Sequence, residues 1–166
     1  SALRSALRGE TRDAAALREA AAIAASAIPF VDPLQRILEL ALPVLPTDHV
    51  VLLGASADRT KAVILAAAGT ARMWRWLRAP IAQGIVARAI ETGETQLVAG
   101  DADNAYAPAG AGSALVAPVI LDGRVLGVLE TADERQHVFT QRHAMLLRAF
   151  ADQCAIALDN ARESRL

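Results

Sequence analysis

The sequence holds one cysteine, Cys154, among 166 residues. No internal disulfide can form, and a zinc site needing two or four cysteines of this chain is excluded. A lone thiol suits a reducing compartment, so the cytoplasm is the expected location. Lysine is nearly absent: of 17 basic residues only Lys61 is lysine, and 18 acidic residues leave a net charge of −1. That balance creates no general field for nucleic acid or an anionic membrane, and neither is an expected partner. The longest bland apolar run, residues 20–31, is too short and too alanine-rich to span a bilayer, and Ser26 and Pro29 break it. No signal peptide is recognisable. The chain opens at Ser1 without a methionine, and is read as a piece of a longer protein.

What is present favours a packed domain. Hydrophobic residues make up 54% and charged residues 21%, which argues against disorder. A chain of this length hides enough surface to fold without staples, as one domain with a helical extension. The division expected is an N-terminal linker or dimerisation helix over residues 1–29 and a domain over residues 30–166. In the first part Leu3, Leu7, Ala14, Leu17, Ala21, Ala24 and Ile28 recur at three, four or seven, close to a heptad seam. Asp32-Pro33 opens a second helix, Asp32 capping free N–H groups and Pro33 sitting where its missing N–H is harmless. Its apolar face is Leu34, Ile37, Leu38, Ala41 and Leu42, and Pro43 and Pro46 stop it.

Short apolar runs at residues 49–54 and 62–66 predict a hairpin. A helix with Ile81, Ile85, Val86, Ala89 and Ile90 inward follows and is closed by Gly93; residues 96–98 form a short strand. Residues 113–121 and 124–131 are strands joined by Asp122-Gly123, whose type I′ turn requires positive φ twice. Pro118 marks an edge or bulge. Thr140 caps a long final helix apolar on two stripes, one through Ala144, Leu147, Ala151, Cys154, Leu158 and Ala161 and one through Leu146, Phe150 and Ala157. His143 stands where an acid would complete a reciprocal capping box, so that box is expected to be lost. Hairpins separated by helices make the fold class α+β.

Five stretches resemble, in order, the blocks of GAF domains. They are Gly84-Ile-Val-Ala-Arg-Ala-Ile-Glu-Thr-Gly93, Ser113-Ala-Leu-Val-Ala-Pro-Val119, Gly123-Arg-Val-Leu-Gly-Val-Leu129, Phe139-Thr140, and Ala149-Phe-Ala-Asp-Gln153 continuing through Ala155-Ile-Ala-Leu-Asp-Asn160. The resemblance implies a GAF-like fold: a central antiparallel sheet of about five or six strands, terminal helices on one face and ligand-pocket loops on the other. It also implies a sensory or dimerising module of a bacterial signalling protein, linked to an output domain.

The chemical subclasses of that family separate on single residues. Reduction of free methionine sulfoxide needs a nucleophilic and a resolving thiol; Cys154 lies on an apolar helical stripe, without a second thiol. Covalent bilin attachment of the phytochrome type needs a pocket cysteine, and residues 100–112 contain none. The Asn-Lys…Phe…Asp-Glu signature of phosphodiesterase GAF domains fails after Phe139, where Gln141, Arg142 and His143 follow. His49, His137 and His143 lack the spacing of a metal pair and are read as exposed or hydrogen-bonded. The identity of any cofactor is unknown from the sequence, and no catalytic set appears.

Aromatics are 4% of the chain, so the closeness of Trp74 and Trp76, among Arg72, Arg75 and Arg78, is informative. One reading is a lid that stacks on a planar ligand while Arg78 or a neighbouring arginine meets an anionic group. The other is an amphipathic segment with one indole in the core and solvated arginines. Asn104 and Tyr106 are candidate polar contacts from the following loop, although Asp and Asn there also serve turn chemistry. Ser113, at the start of the next strand, completes the candidate set. The expected function is a non-catalytic, homodimeric sensor of an unknown small molecule. The alternative is a structural dimerisation module with a collapsed pocket.

Overall fold

The computed structural model of the chain describes residues 2–25, 32–55, 62–69, 84–100 and 111–163. In order these form α1 (Ala2–Ala25), α2 (Pro33–Ala41), a 3₁₀ turn (Leu42–Val44), β1 (His49–Ala55), β2 (Ala62–Gly69), α3 (Gly84–Thr92), β3 (Gln96–Val98), β4 (Ser113–Leu121), β5 (Arg124–Asp133) and α4 (Gln141–Glu163). The strands make one antiparallel sheet in the order β2-β1-β5-β4-β3. β5 is central, because β1 and β4 both pair with it.

Local signals set several of these elements. Asp32 accepts from the Leu34 and Gln35 N–H groups, as an N-cap should. Gly93 ends α3 at φ 68°, and its N–H returns to the Ala89 carbonyl. Asp122 and Gly123 both take positive φ, 52° and 76°, which is the I′ geometry their dipeptide predicts. A Cβ at Gly123 would meet nothing within 4 Å, so only backbone conformation opposes a side chain there. Gly123→Val is therefore expected to destabilise by roughly 1 kcal/mol, read as a lowered melting temperature. Pro118 lies on β4 beyond the three residues that pair with β3, and the β4–β5 register shifts just after it, between Val119 and Ile120. Its missing N–H falls where β4 has no second neighbour among the described residues.

Helices α1, α2 and α4 cover one face of the sheet, packing on each other and on β4, β2 and β1. The core beneath them holds Ile37, Leu38, Leu52, Leu115, Leu129, Leu147 and Phe150, all fully buried. The Gln35 amide donates to the Ala67 carbonyl at 2.6 Å and accepts from the Ala67 N–H at 3.3 Å. A side chain of α2 thus stands in for a strand at the open edge of β2.

Two readings of the sequence are corrected here. The α1 stripe does not bury along its whole length: Leu3 is 70% exposed, Leu7 53%, and Ala14 is exposed as well. Burial falls on Ala20, Ile23 and Ala24, with Ala16 and Leu17 at its margin. The reason is where the neighbours end. Asp13 pairs with Arg142 at the start of α4, and Ala24 accepts from Asn160 near its end. The two helices run parallel, and the first half of α1 extends past its partner. Ile28 lies outside the described residues, as does Ile81.

The second correction concerns the α4 cap. The His143 N–H donates to Thr140 Oγ1 at 3.3 Å, and the Thr140 N–H donates to His143 Nδ1 at 2.9 Å. An imidazole nitrogen replaces the usual carboxylate, so the reciprocal box is present. It needs the neutral ring with its proton on Nε2. Burial, and then the charge of Arg142, hold the His143 pKa below the ordinary histidine value, against an opposing pull from Asp13. A lowered folded-state pKa means that the cap contributes at and above the unfolded value and is lost as pH falls through the folded one. His143→Ala should lower stability by about 0.5–1 kcal/mol near neutral pH, with the difference shrinking in acid; melts at both pH values check this.

Candidate functional site

The second face of the sheet carries α3 alone among the described helices. Val51 and Leu53 of β1, Val98 of β3, Ala114 and Val116 of β4, and Val128 and Ala132 of β5 line it, with Ile85 and Ala89 of α3 packed against them. Alternation along β5 puts Glu130 between Val128 and Ala132 on this same face. Its cross-strand partners are Val51 on one side and Val116 on the other, and directly opposed residues share a face. A carboxyl group therefore sits at the centre of an apolar surface, 4% exposed. No described residue gives it a hydrogen bond or an ion pair. Burial alone pushes its pKa up to about 7, since removal from water disfavours the charged form. At neutral pH this group stands near its midpoint.

Glu130 is absent from the residues singled out by sequence. One signal could have found it: a lone charge at the inward register of an apolar strand, with valine two residues before and alanine two residues after. Such a residue is either at a strand end or buried for a purpose, and the pairing of β5 on both edges decides between the two.

The residues that the sequence did single out are distributed differently. Trp74, Trp76 and Arg78 lie outside the described residues, as do Asn104 and Tyr106. The described residues on either side of the second group are hydrogen-bonded. The His137 N–H donates to the Ala99 carbonyl at 2.6 Å, and the Gly112 N–H donates to the Asp133 carbonyl at 2.7 Å. The His137 ring lies over Gly100, where a Cβ would meet its Nε2 at 2.7 Å. Ser113 is fully buried, and its hydroxyl donates to the Arg135 carbonyl at 2.7 Å. It alternates with Leu115, on the side of the terminal helices rather than the side of Glu130.

Of the remaining reactive groups, Cys154 lies away from that face, while alternation along β1 puts His49 on it with Val51 and Leu53. Cys154 is buried in the helical core, where desolvation pushes its thiol up to about 12; a thiolate is not formed there near neutral pH. His49 is buried, with Nδ1 2.9 Å from Asp48 Oδ1. Among the described residues, no group of three His, Cys, Asp or Glu side chains is placed to hold a metal ion. A groove of about 420 Å³ lies at the end of the sheet between residues 46–48 and 132–135. There Arg135 is committed to Asp133 at 2.9 Å and to the Pro46 carbonyl. No helix of the described residues is long and apolar enough to cross a membrane.

A family profile for the GAF domain matches residues 30–158. No curated protein matches the chain. Among solved structures, the GAF domain of a phosphoenolpyruvate-protein phosphotransferase from Coxiella burnetii is 20% identical, over 93% of this chain and 97% of that one, with a TM-score of 0.74. Free methionine-R-sulfoxide reductase from Neisseria meningitidis, solved in complex with its substrate, is 20% identical over 89% of both chains, with a TM-score of 0.72. The phycoerythrobilin-bound GAF domain of a cyanobacterial phytochrome is 14% identical over 93% of this chain and 98% of that one, with a TM-score of 0.71. At these identities the likeness is one of fold, shared by a reductase, a chromophore-bound domain and a GAF domain of a phosphotransferase alike.

Proposed function

The chain belongs to the GAF domain family, and from that premise we propose that it is a non-catalytic sensory module that binds a small molecule on the α3 face of its sheet. Domains of this family are generally regulatory and ligand-binding, and they commonly sit in multidomain proteins. Some proteins of this fold are enzymes, the Neisseria reductase among them. The observation that carries the sensory reading is Glu130. A carboxyl group buried in an apolar surface without a described partner is costly for folding alone, and a bound molecule would complete it. The position of Cys154 in the helical core, on the other side of the sheet, supports a non-catalytic role.

In this reading residues 1–29 serve as the linker or dimerisation helix and residues 30–166 as the sensory domain, in a bacterial cytoplasm. Trp74 and Trp76 supply rigid apolar walls, Arg78 selects an anionic part of the ligand, and Asn104 and Tyr106 orient it. Ser113 acts through its bond to Arg135, tying the start of β4 to the chain after β5. Signalling proceeds by a population shift, a ligand favouring one pose of α1 and α4 over another. These helices pair in parallel and expose Leu3, Leu7, Met145 and Ile156, an apolar surface suited to a second copy about a two-fold axis.

The test combines two measurements. Sedimentation at micromolar concentration should give a dimer mass, reverting to monomer in Ile156→Arg. A thermal-shift screen of small metabolites should find compounds that raise the melting temperature and change tryptophan emission. Trp76→Ala should then weaken binding by about 1–3 kcal/mol. A dimer whose melting and emission ignore every compound would instead support a purely structural dimerisation module.

A further inference from the structure

The chemistry of the proposed pocket points to one feature of its ligand, an inference that rests on the sensory reading above. We propose that Glu130 is the anchor for a cationic nitrogen group, an ammonium, amidinium or guanidinium, carried on a compact apolar body. The surroundings of this carboxyl define the complement. Val51 and Val116 flank it across the strands, and Val128 and Ala132 flank it along β5. These side chains offer hydrophobic contact and no hydrogen bond. Ile85 and Ala89 close the same surface from α3. The carboxyl among these side chains is that of Glu130, and the His49 ring on the same face has its Nδ1 2.9 Å from Asp48 Oδ1.

An ionised carboxylate only accepts hydrogen bonds, and its two oxygens match a pair of N–H donors side by side. A neutral donor would satisfy one oxygen and leave the charge uncompensated in an apolar setting. A cation satisfies the bonds and the charge together. An anionic group placed against Glu130 would meet repulsion whenever that carboxyl is ionised, so the anionic part proposed to meet Arg78 is a separate part of the ligand. The raised pKa, about 7 from burial alone, fits this assignment: a cation entering the site would pull the pKa back down, so binding would strengthen as pH rises. One other titratable group shares this face among the described residues, His49 of β1, which is buried with Nδ1 2.9 Å from Asp48 Oδ1. The other described side chains facing Glu130 from β1, β4, β5 and α3 are aliphatic, and Arg88 and Glu91 lie on the exposed side of α3.

The experiment uses the full chain, carbon-13 labelled, with benzamidinium chloride and benzamide as probes. These two differ in charge but hardly in shape. Benzamidinium should bind on the order of tenfold more tightly than benzamide at about pH 8. It should move the Glu130 carboxyl resonance and lower its titration midpoint. The preference should fade near pH 5, where the carboxyl is protonated, and vanish in Glu130→Gln, whose amide keeps the shape of the side chain. Equal binding of both probes, or benzamidinium binding with the Glu130 resonance unmoved, overturns the cation anchor and leaves a pocket of another chemistry. A Glu130 resonance that titrates in the ordinary carboxylate range and ignores both probes overturns the anchor and the sensory reading of this face together.

Discussion

Glu130→Gln is expected to unfold at a higher temperature than the parent at about pH 8, and at nearly the same temperature near pH 4. The folded protein holds the Glu130 pKa at about 7, raised from 4.5. Between those values the native state binds more protons than the unfolded chain, so stability falls as pH rises through that window and levels off above it. At about 1.4 kcal/mol for each pH unit between the two values, the ionised form weighs against folding by up to about 3 kcal/mol. Glutamine cannot ionise and escapes this penalty, although its amide keeps some cost of an unbonded polar group. For a chain of this size a gain of about 3 kcal/mol moves the melting temperature by roughly 6–12 °C. Other carboxylates titrate alike in both proteins, so the difference between their pH profiles isolates Glu130. A parallel pair of profiles would show that this carboxyl is not dry.

Phe150→Ala should have the largest effect on stability. Phe150 is fully buried in the core that α1, α2 and α4 share with the sheet, with Ile37, Leu38, Leu115 and Leu147 in the same cluster. Truncation loses the transfer free energy of the ring and leaves a cavity that close-packed neighbours fill only in part. The expected loss is about 3–5 kcal/mol, a large share of the roughly 5–15 kcal/mol that holds a domain together. The denaturation midpoint should fall with the slope of the transition unchanged. Met145, one helical turn and one residue earlier, is 73% exposed, and alanine there should leave the midpoint in place. A similar shift at both positions would mean that α4 does not face the sheet as described. The exposed Met145 also lies on the surface proposed for a second copy, so the comparison is made in denaturant at a fixed dimer concentration.

The contrast between these residues shows how far sequence reaches in this protein. Asp32-Pro33, Gly93 and Asp122-Gly123 were legible because the forces behind them act over a few residues: a side chain reaching two N–H groups, a positive φ that glycine tolerates. The strands Gln96–Val98 and Ser113–Leu121, the apolar face of α2 and the two-sided burial of α4 were legible from periodicity. The blocks shared with GAF domains carried the α+β class. The His143 cap is just as local, but was missed because an imidazole nitrogen does the work expected of a carboxylate. The burial of α1 was only half legible. Its repeat runs through Leu3 and Leu7 as evenly as through Ala20 and Ala24, and nothing local says where a neighbouring helix begins.

By itself, then, the sequence determined where chain segments turn, which faces are apolar and which fold family they build. The tertiary structure decided what lies at the centre. Glu130 follows Leu129 in a strand whose period places it inward, but a period does not say whether both edges of that strand are paired. β5 is central only because Val51, some eighty residues earlier in sequence, and Val116 close on it from either side. Long-range pairing removes water from the carboxyl, and removal of water raises its pKa, with no described residue bonded to it. The chemistry of this site is thus a property of sheet order, which no local signal encodes.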